Sequence, residues 1–177
     1  MKKTLLSLAI ASLAAGQSVC AAVEKVYNEP DSVYIFSYAH PEDEGRSGLK
    51  FAWSPDGDKW LSVSDGFAYL KCDFGRWGSE KRMIKPLLEK AEDGRWYCRW
   101  QLTPSGKVWG TSHSSDLLKW APQQYVNAEK PAVPRLVTAR QIVLDKDTLN
   151  GYMQKVPYAD IEQLIRFAEH KKFRDIQ

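Results

Sequence analysis

The chain has 177 residues, 44% of them hydrophobic and 27% charged, with 25 Lys and Arg against 22 Asp and Glu. That balance excludes the basic footprint of a nucleic-acid binder. No stretch after the N-terminal region is long and apolar enough to span a bilayer.

The first elements are an address. Met1-Lys2-Lys3 is followed by an apolar run from Leu5 to Ala15 and then by small residues ending in Val19-Cys20-Ala21-Ala22, the three regions of a secretory signal over residues 1–22. Cleavage is expected near Ala22 or Val23, giving a periplasmic or secreted product. Lipid attachment at Cys20 is the alternative, and Val19 stands against it because a bacterial lipoprotein signal places Gly, Ala or Ser there. Without Lys2 and Lys3 the basic residues fall to 23 against 22 acidic, a net charge of +1. What remains is sized for one domain with a real core.

From residue 23 to 126 the chain repeats itself. Val33-Tyr34-Ile35-Phe36-Ser37-Tyr38 has the β-branched and aromatic make-up of a strand, Leu49 to Trp53 is a second, and Phe67 to Lys71 is expected to be a third. Between them, Ser54-Pro55-Asp56-Gly57 is a turn in which Asp accepts backbone N–H groups and Gly takes a positive φ. The heptapeptide Ser54 to Trp60 then returns sixty positions later as Ser114-Ser115-Asp116-Leu117-Leu118-Lys119-Trp120. Strands Arg95 to Leu102, Lys107 to His113 and Pro122 to Val126 surround the second copy. Two antiparallel units, 31–71 and 82–126, are therefore expected, each reading strand, strand, turn, strand, the grammar of a β-propeller blade. Trp60 and Trp120, fixed within the repeat, are expected to pack between sheets. Trp77 lies in the glycine-rich loop Asp73 to Ser79, outside any strand register, which favours a ligand-facing role.

Residues 127–177 lose the repeat. A proline-bounded linker, Asn127 to Pro134, precedes two short strands, Arg140 to Leu144 and Gly151 to Val156. A helix is expected from Pro157, with Ile161, Leu164, Ile165 and Ala168 on one stripe and Lys171, Lys172 and Arg174 at its end. The fold class expected is mainly β, a partial β-propeller of two blade-like units with a C-terminal α-helix. A two-unit array leaves open edges. The C-terminal elements are expected to cover one, giving a monomer, with a dimer as the alternative.

Cys72 and Cys98 allow two readings, a disulfide in an oxidising compartment or two buried thiols. His40, His113 and His170 have no metal-ligand spacing, and no phosphate loop or nucleophile elbow is present, so neither a metal nor any other cofactor is implied. Glu42-Asp43-Glu44 reads as a solvated turn.

Ala52 to Trp60 and Thr111 to Trp120 resemble the blade repeats of family 43 glycoside hydrolases, which are five-bladed propellers, and the likeness covers about Val33 to Val126. The repeat also resembles the Asp-box of sialidase-like propellers, with one position fewer between Ser and Trp. The resemblance implies a carbohydrate partner, an oligo- or polysaccharide. Family members carry Met-Arg-Asp-Pro after the glycine-rich loop, where this chain has Met83-Ile84-Lys85-Pro86. Lys85 thus stands where the family has a functional Asp, and an ammonium cannot do the work of a carboxylate. The family's Trp-Ala-Pro-Glu acid has no match, and Glu129 is at best a loose candidate for it.

The function expected is therefore that of an exported glycan-binding or accessory protein. Trp77 would stack on a sugar face, and Arg82, Asp73, Lys85 and His113 would supply polar contacts. Two alternatives stay open: an active hydrolase using carboxylates among Asp73, Glu80 and Glu129, or a β domain for protein contacts.

Overall fold

A computed structural model describes residues 30–64, 66–127 and 130–175. The expected signal segment, Cys20 and Glu129 lie outside the described residues. In chain order the elements are β1 (Ser32–Tyr38), β2 (Lys50–Ser54), β3 (Leu61–Ser62), β4 (Ile84–Lys90), β5 (Trp96–Gln101), β6 (Trp109–Ser114), β7 (Gln124–Val126), β8 (Val137–Leu144), β9 (Asp147–Pro157) and the helix α1 (Glu162–Asp175). The molecule is mainly β. One antiparallel sheet has the order β3-β2-β1-β9-β8 and the other β4-β5-β6-β7.

The repeated heptapeptide makes the same turn twice. Ser54 Oγ donates to Asp56 Oδ1 at 2.9 Å and accepts the Gly57 N–H at 2.8 Å, while Asp56 Oδ1 also accepts from Asp58 and Lys59. Ser114 Oγ and Asp116 Oδ1 make the matching bonds to Leu117, Leu118 and Lys119. Both copies need a left-handed residue at one place, and it is Gly57 (φ 86) in the first and Leu117 (φ 62) in the second.

Strand register carries the equivalence further. Tyr34 pairs with Ser54 and Phe36 with Ala52 in the first sheet, as Trp96 pairs with Ser114 and Cys98 with Ser112 in the second. The Phe36 face of the first sheet therefore corresponds to the Cys98 face of the second. These matching faces do not meet each other. Trp96, Cys98 and Trp100 pack against Val33, Ile35 and Phe51, which lie on the opposite face of the first sheet, whereas Phe36 and Ala52 belong to a separate cluster with Ile142, Leu144 and Leu149. The sheets thus stack in the same sense. Trp60 joins the Phe36 cluster and Trp120 the core between the sheets, so the two tryptophans occupy matching faces under different covers.

The expected strands need correction. Phe67 to Lys71 is not a strand; apart from the isolated Leu49–Leu70 bridge it stays irregular. The third strand of the first unit is β3, which stops after two residues because Phe51 N–H turns to the Ser64 hydroxyl at 2.8 Å and leaves the main-chain ladder. The C-terminal strands are long, eight residues in β8 and eleven in β9, joined by a tight turn at Asp145 (φ 56). Nor are they an appendage, because β9 pairs along the whole of β1, from Ser32–Pro157 to Tyr38–Gly151. In the first sheet β9 holds the place beside β1 that β4 holds beside β5.

The edge at β4 is met by side chains from the first sheet. Ser37 Oγ donates to Pro86 O at 3.1 Å and Gln154 Nε2 to Leu88 O at 3.1 Å, so two alternate carbonyls of the edge strand are satisfied from the first sheet. Pro86 suits an edge, where its missing N–H removes no ladder bond. The helix behaves as its stripe predicts. Ile161, Leu164, Ile165 and Ala168 are all buried in the core between the sheets. Pro157, however, ends β9 in an extended conformation (ψ 141), and a single 3-10 turn, Tyr158–Asp160, separates it from α1.

Candidate functional site

Two clefts of about 360 Å³ each adjoin where the start of β4 meets the end of β1 and the β8–β9 hairpin. Lys85 and Asn150 line both. The position of Lys85 follows from a backbone irregularity. Ile84 pairs with Gln101 but Leu87 pairs with Arg99, a register shift that bulges Lys85 and Pro86 out of the ladder. Lys85 sits there at φ 50, a left-handed conformation that costs a non-glycine residue about 1–2 kcal/mol. Bulges re-aim side chains, and here the result is an exposed ammonium that makes no ion pair among the described residues.

One cleft carries Arg140, Gln141 and Tyr152 beside Lys85. Gln141 and Asn150 are register partners across β8 and β9, and Gln141 Nε2 donates to Asn150 Oδ1 at 3.2 Å. Arg140 has only a distant acid, Asp58 at 3.6 Å, and that aspartate is itself 84% exposed. The floor is held by Ser37, whose hydroxyl lies between Pro86 O and Tyr152 O and so ties β4 to β9 through β1.

The other cleft is lined by His40, Glu44, Arg82 and Pro86. Glu44 is committed to guanidinium groups, with Arg82 at 2.6 Å and Arg46 at 3.1 Å. Its neighbour Asp43 closes the turn by accepting from Gly45 N–H and Ser47 N–H, so the acidic run is a structured turn. Burial pushes the Asp43 carboxyl up, but these bonds and the nearby His40 outweigh it and the net shift is downward. His40 reaches Asp147 at 3.6 Å. Among the described residues no group of three His, Cys, Asp or Glu side chains could hold a metal ion.

Arg82 also ties the cleft to the tryptophan loop, because its Nε donates to Ser79 O at 2.9 Å. In that loop Glu80 accepts the N–H groups of Arg76 and Trp77, at 2.7 and 3.3 Å, and its own N–H bonds Trp77 O. Trp77 projects from this closed turn with 64% of its surface exposed. Gln123 fixes the loop's other end through Asp73 N–H and Lys71 O.

Of the residues expected to contact ligand, Arg82 and Lys85 line the clefts and Trp77 stands on the loop joined to Arg82. Asp73 and His113 are elsewhere. His113 packs against Tyr97 with the rings tilted and their centroids 5.7 Å apart, on the face of the second sheet turned away from the core. The Glu80 carboxylate accepts N–H groups of its own loop through one oxygen. Cys72 and Cys98 are free thiols, not a disulfide. Both are buried in the core between the sheets, where Cys72 Sγ points to Phe74 O and burial pushes the Cys98 thiol far up. The sequence reads His40, Glu44 and Arg140 only as a lone histidine, part of a solvated turn and the start of a strand, and does not single out Gln141, Asn150 and Tyr152. They reach the site from segments about a hundred residues apart in the chain, and the β1–β9 pairing brings them together.

Among the described residues no helix is long and apolar enough to cross a membrane. No protein-family model, curated protein or solved structure matches the chain.

Proposed function

We propose that this is an exported protein that holds an oligo- or polysaccharide without cleaving it, Trp77 serving as the stacking platform beside the Arg82 and Lys85 clefts. The observation that carries the reading is the exposed Trp77 on a loop pinned by Glu80 and tied by Arg82 to the cleft wall. A tryptophan kept in water on a fixed turn has little structural use and is well suited to an apolar sugar face. The same-sense stacking of the two repeated units, as between neighbouring blades, supports kinship with blade-built sugar proteins.

Holding is favoured over hydrolysis by the carboxylates. A glycosidase needs a general acid with a raised pKa opposite a second carboxylate. Glu44, the acid lining the second cleft, is neutralised by two arginines, and among the described residues every carboxylate with a clearly displaced pKa is displaced downward.

The test is calorimetry and product analysis with arabinan, xylan and fructan oligosaccharides. Binding without products, weakened roughly tenfold or more by Trp77→Ala, is expected for a lost stacking contact. Turnover that disappears in Asp73→Asn or Glu80→Gln would overturn the reading in favour of a hydrolase. Absence of binding to every glycan would leave a protein-contact role for the sheets.

A further inference from the structure

The cleft between β4 and the β8–β9 hairpin has a lopsided chemistry. Lys85 and Arg140 offer an ammonium with three donors and a guanidinium with five, and neither can accept a hydrogen bond. Gln141 and Asn150 share one bond across the strands, leaving the Asn150 Nδ2 group as a further donor and the Gln141 Oε1 as a neutral acceptor. Among the described residues no carboxylate lines this cleft. A neutral sugar presents hydroxyls that both donate and accept, so a matching site supplies acceptors as well as donors. A carboxylate only accepts, and it carries the charge that two neighbouring cations lack.

Both cations are kept available. Lys85 is carried out of the sheet by a bulge in a strained backbone conformation and has no acidic partner among the described residues. Arg140 has only the outlying Asp58, too exposed to neutralise it firmly. Arg82, across the ridge formed by Lys85 and Pro86, is by contrast fully engaged with Glu44. The charge asymmetry is therefore local to one cleft.

We infer that this cleft receives the carboxylate of an acidic, uronate-bearing saccharide, held between Lys85 and Arg140. The inference rests on the saccharide reading above and adds the class of sugar. Arg140 would meet the carboxylate through its planar fork, and Lys85 would act as a point charge from the opposite wall. Asn150 and the Tyr152 phenol would contact the ring hydroxyls beside it.

The experiment compares an oligogalacturonate with its methyl ester, the same sugar without the charge, by calorimetry at low and moderate salt. The acid form is expected to bind roughly tenfold or more tightly than the ester, with the preference shrinking as salt rises. Lys85→Gln and Arg140→Gln should each abolish most of the acid form's preference over the ester. Their thermal melts should match the parent, since both side chains are exposed and glutamine keeps the backbone demands of Lys85. Equal binding of acid and ester overturns the inference. If neutral xylan or arabinan oligosaccharides bind in a Trp77-dependent way while the oligogalacturonate does not, the inference falls and the saccharide reading stands. If no saccharide binds, both fall.

Discussion

The hydroxyl of Ser37, 1% exposed, lies 3.1 Å from the carbonyl of Pro86, forty-nine residues away in the chain and in the other sheet. One side chain near the end of β1 thereby satisfies the edge of β4 next to the Lys85 bulge. Ser37→Ala leaves that buried carbonyl unmet and is expected to cost about 1–3 kcal/mol. Urea denaturation at neutral pH reads the loss. An unchanged midpoint would mean that the Pro86 carbonyl finds water at no cost.

Gly110 sits directly against the indole of Trp100, and a Cβ placed there would come 2.7 Å from Nε1. Trp100 is fully buried, so the ring has nowhere to retreat. Gly110→Ala should therefore destabilise by roughly 1–3 kcal/mol or more through overpacking, despite removing a glycine from a strand. A midpoint shifted upward would show that the second sheet yields.

Leu117 sets two effects against each other. Its φ of 62 would suit glycine, as Gly57 shows in the other copy, and relief of that strain is worth about 1–2 kcal/mol. Leu117 is also completely buried, and deleting such a side chain costs about 2–5 kcal/mol with its cavity. Burial wins. Leu117→Gly is expected to lower the thermal midpoint, and a rise would reverse the ranking of the two terms.

The twin turns predict an acid limb in stability. Hydrogen bonds from the Lys59 and Asp58 N–H groups and the Ser54 hydroxyl hold the Asp56 carboxyl at about 2, against an ordinary 3.8. At Asp116 burial pushes upward, but the bonds from Lys119, Leu118 and Ser114 outweigh it and the net shift is also downward. A folded value below the unfolded one means the contribution is complete above about pH 4 and is lost as pH falls toward about 2. Thermal melts across that window should show a shallower acid limb in the Asp56→Asn, Asp116→Asn double variant. Superimposable limbs would rule out these carboxylates as its source.

Cys98 should be inert in the folded protein, because burial keeps its thiol protonated far above the ordinary 9.0. Iodoacetamide at pH 8 is expected to leave Cys72 and Cys98 unmodified until urea is added, after which both react without reductant. Mass spectrometry decides. A pair that resists alkylation even when unfolded, with a mass short by two hydrogens, would establish the bridge.

Features closed within a few residues were legible in the chain. The Ser-x-Asp turns could be read because donor and acceptor are two or three positions apart and the same letters recur sixty residues on. The helix could be read because Ile161, Leu164, Ile165 and Ala168 fall on one stripe whatever they pack against. Lys85 drew notice only through resemblance, as the residue in the place of an acid; nothing local announced that it would sit on a bulge with Pro86.

The sequence by itself determined two β units, their shared turn and a terminal amphipathic helix, since each depends on short-range hydrogen bonding or on periodicity. Tertiary structure alone decided that β9 would lie along β1, that matching faces of the sheets would point the same way, and that Lys85 and Arg140 would share a cleft. Strand pairing contributes similar main-chain bonds to many partners. The choice among them is made by which side chains a given pairing buries together, and that is a property of the whole fold.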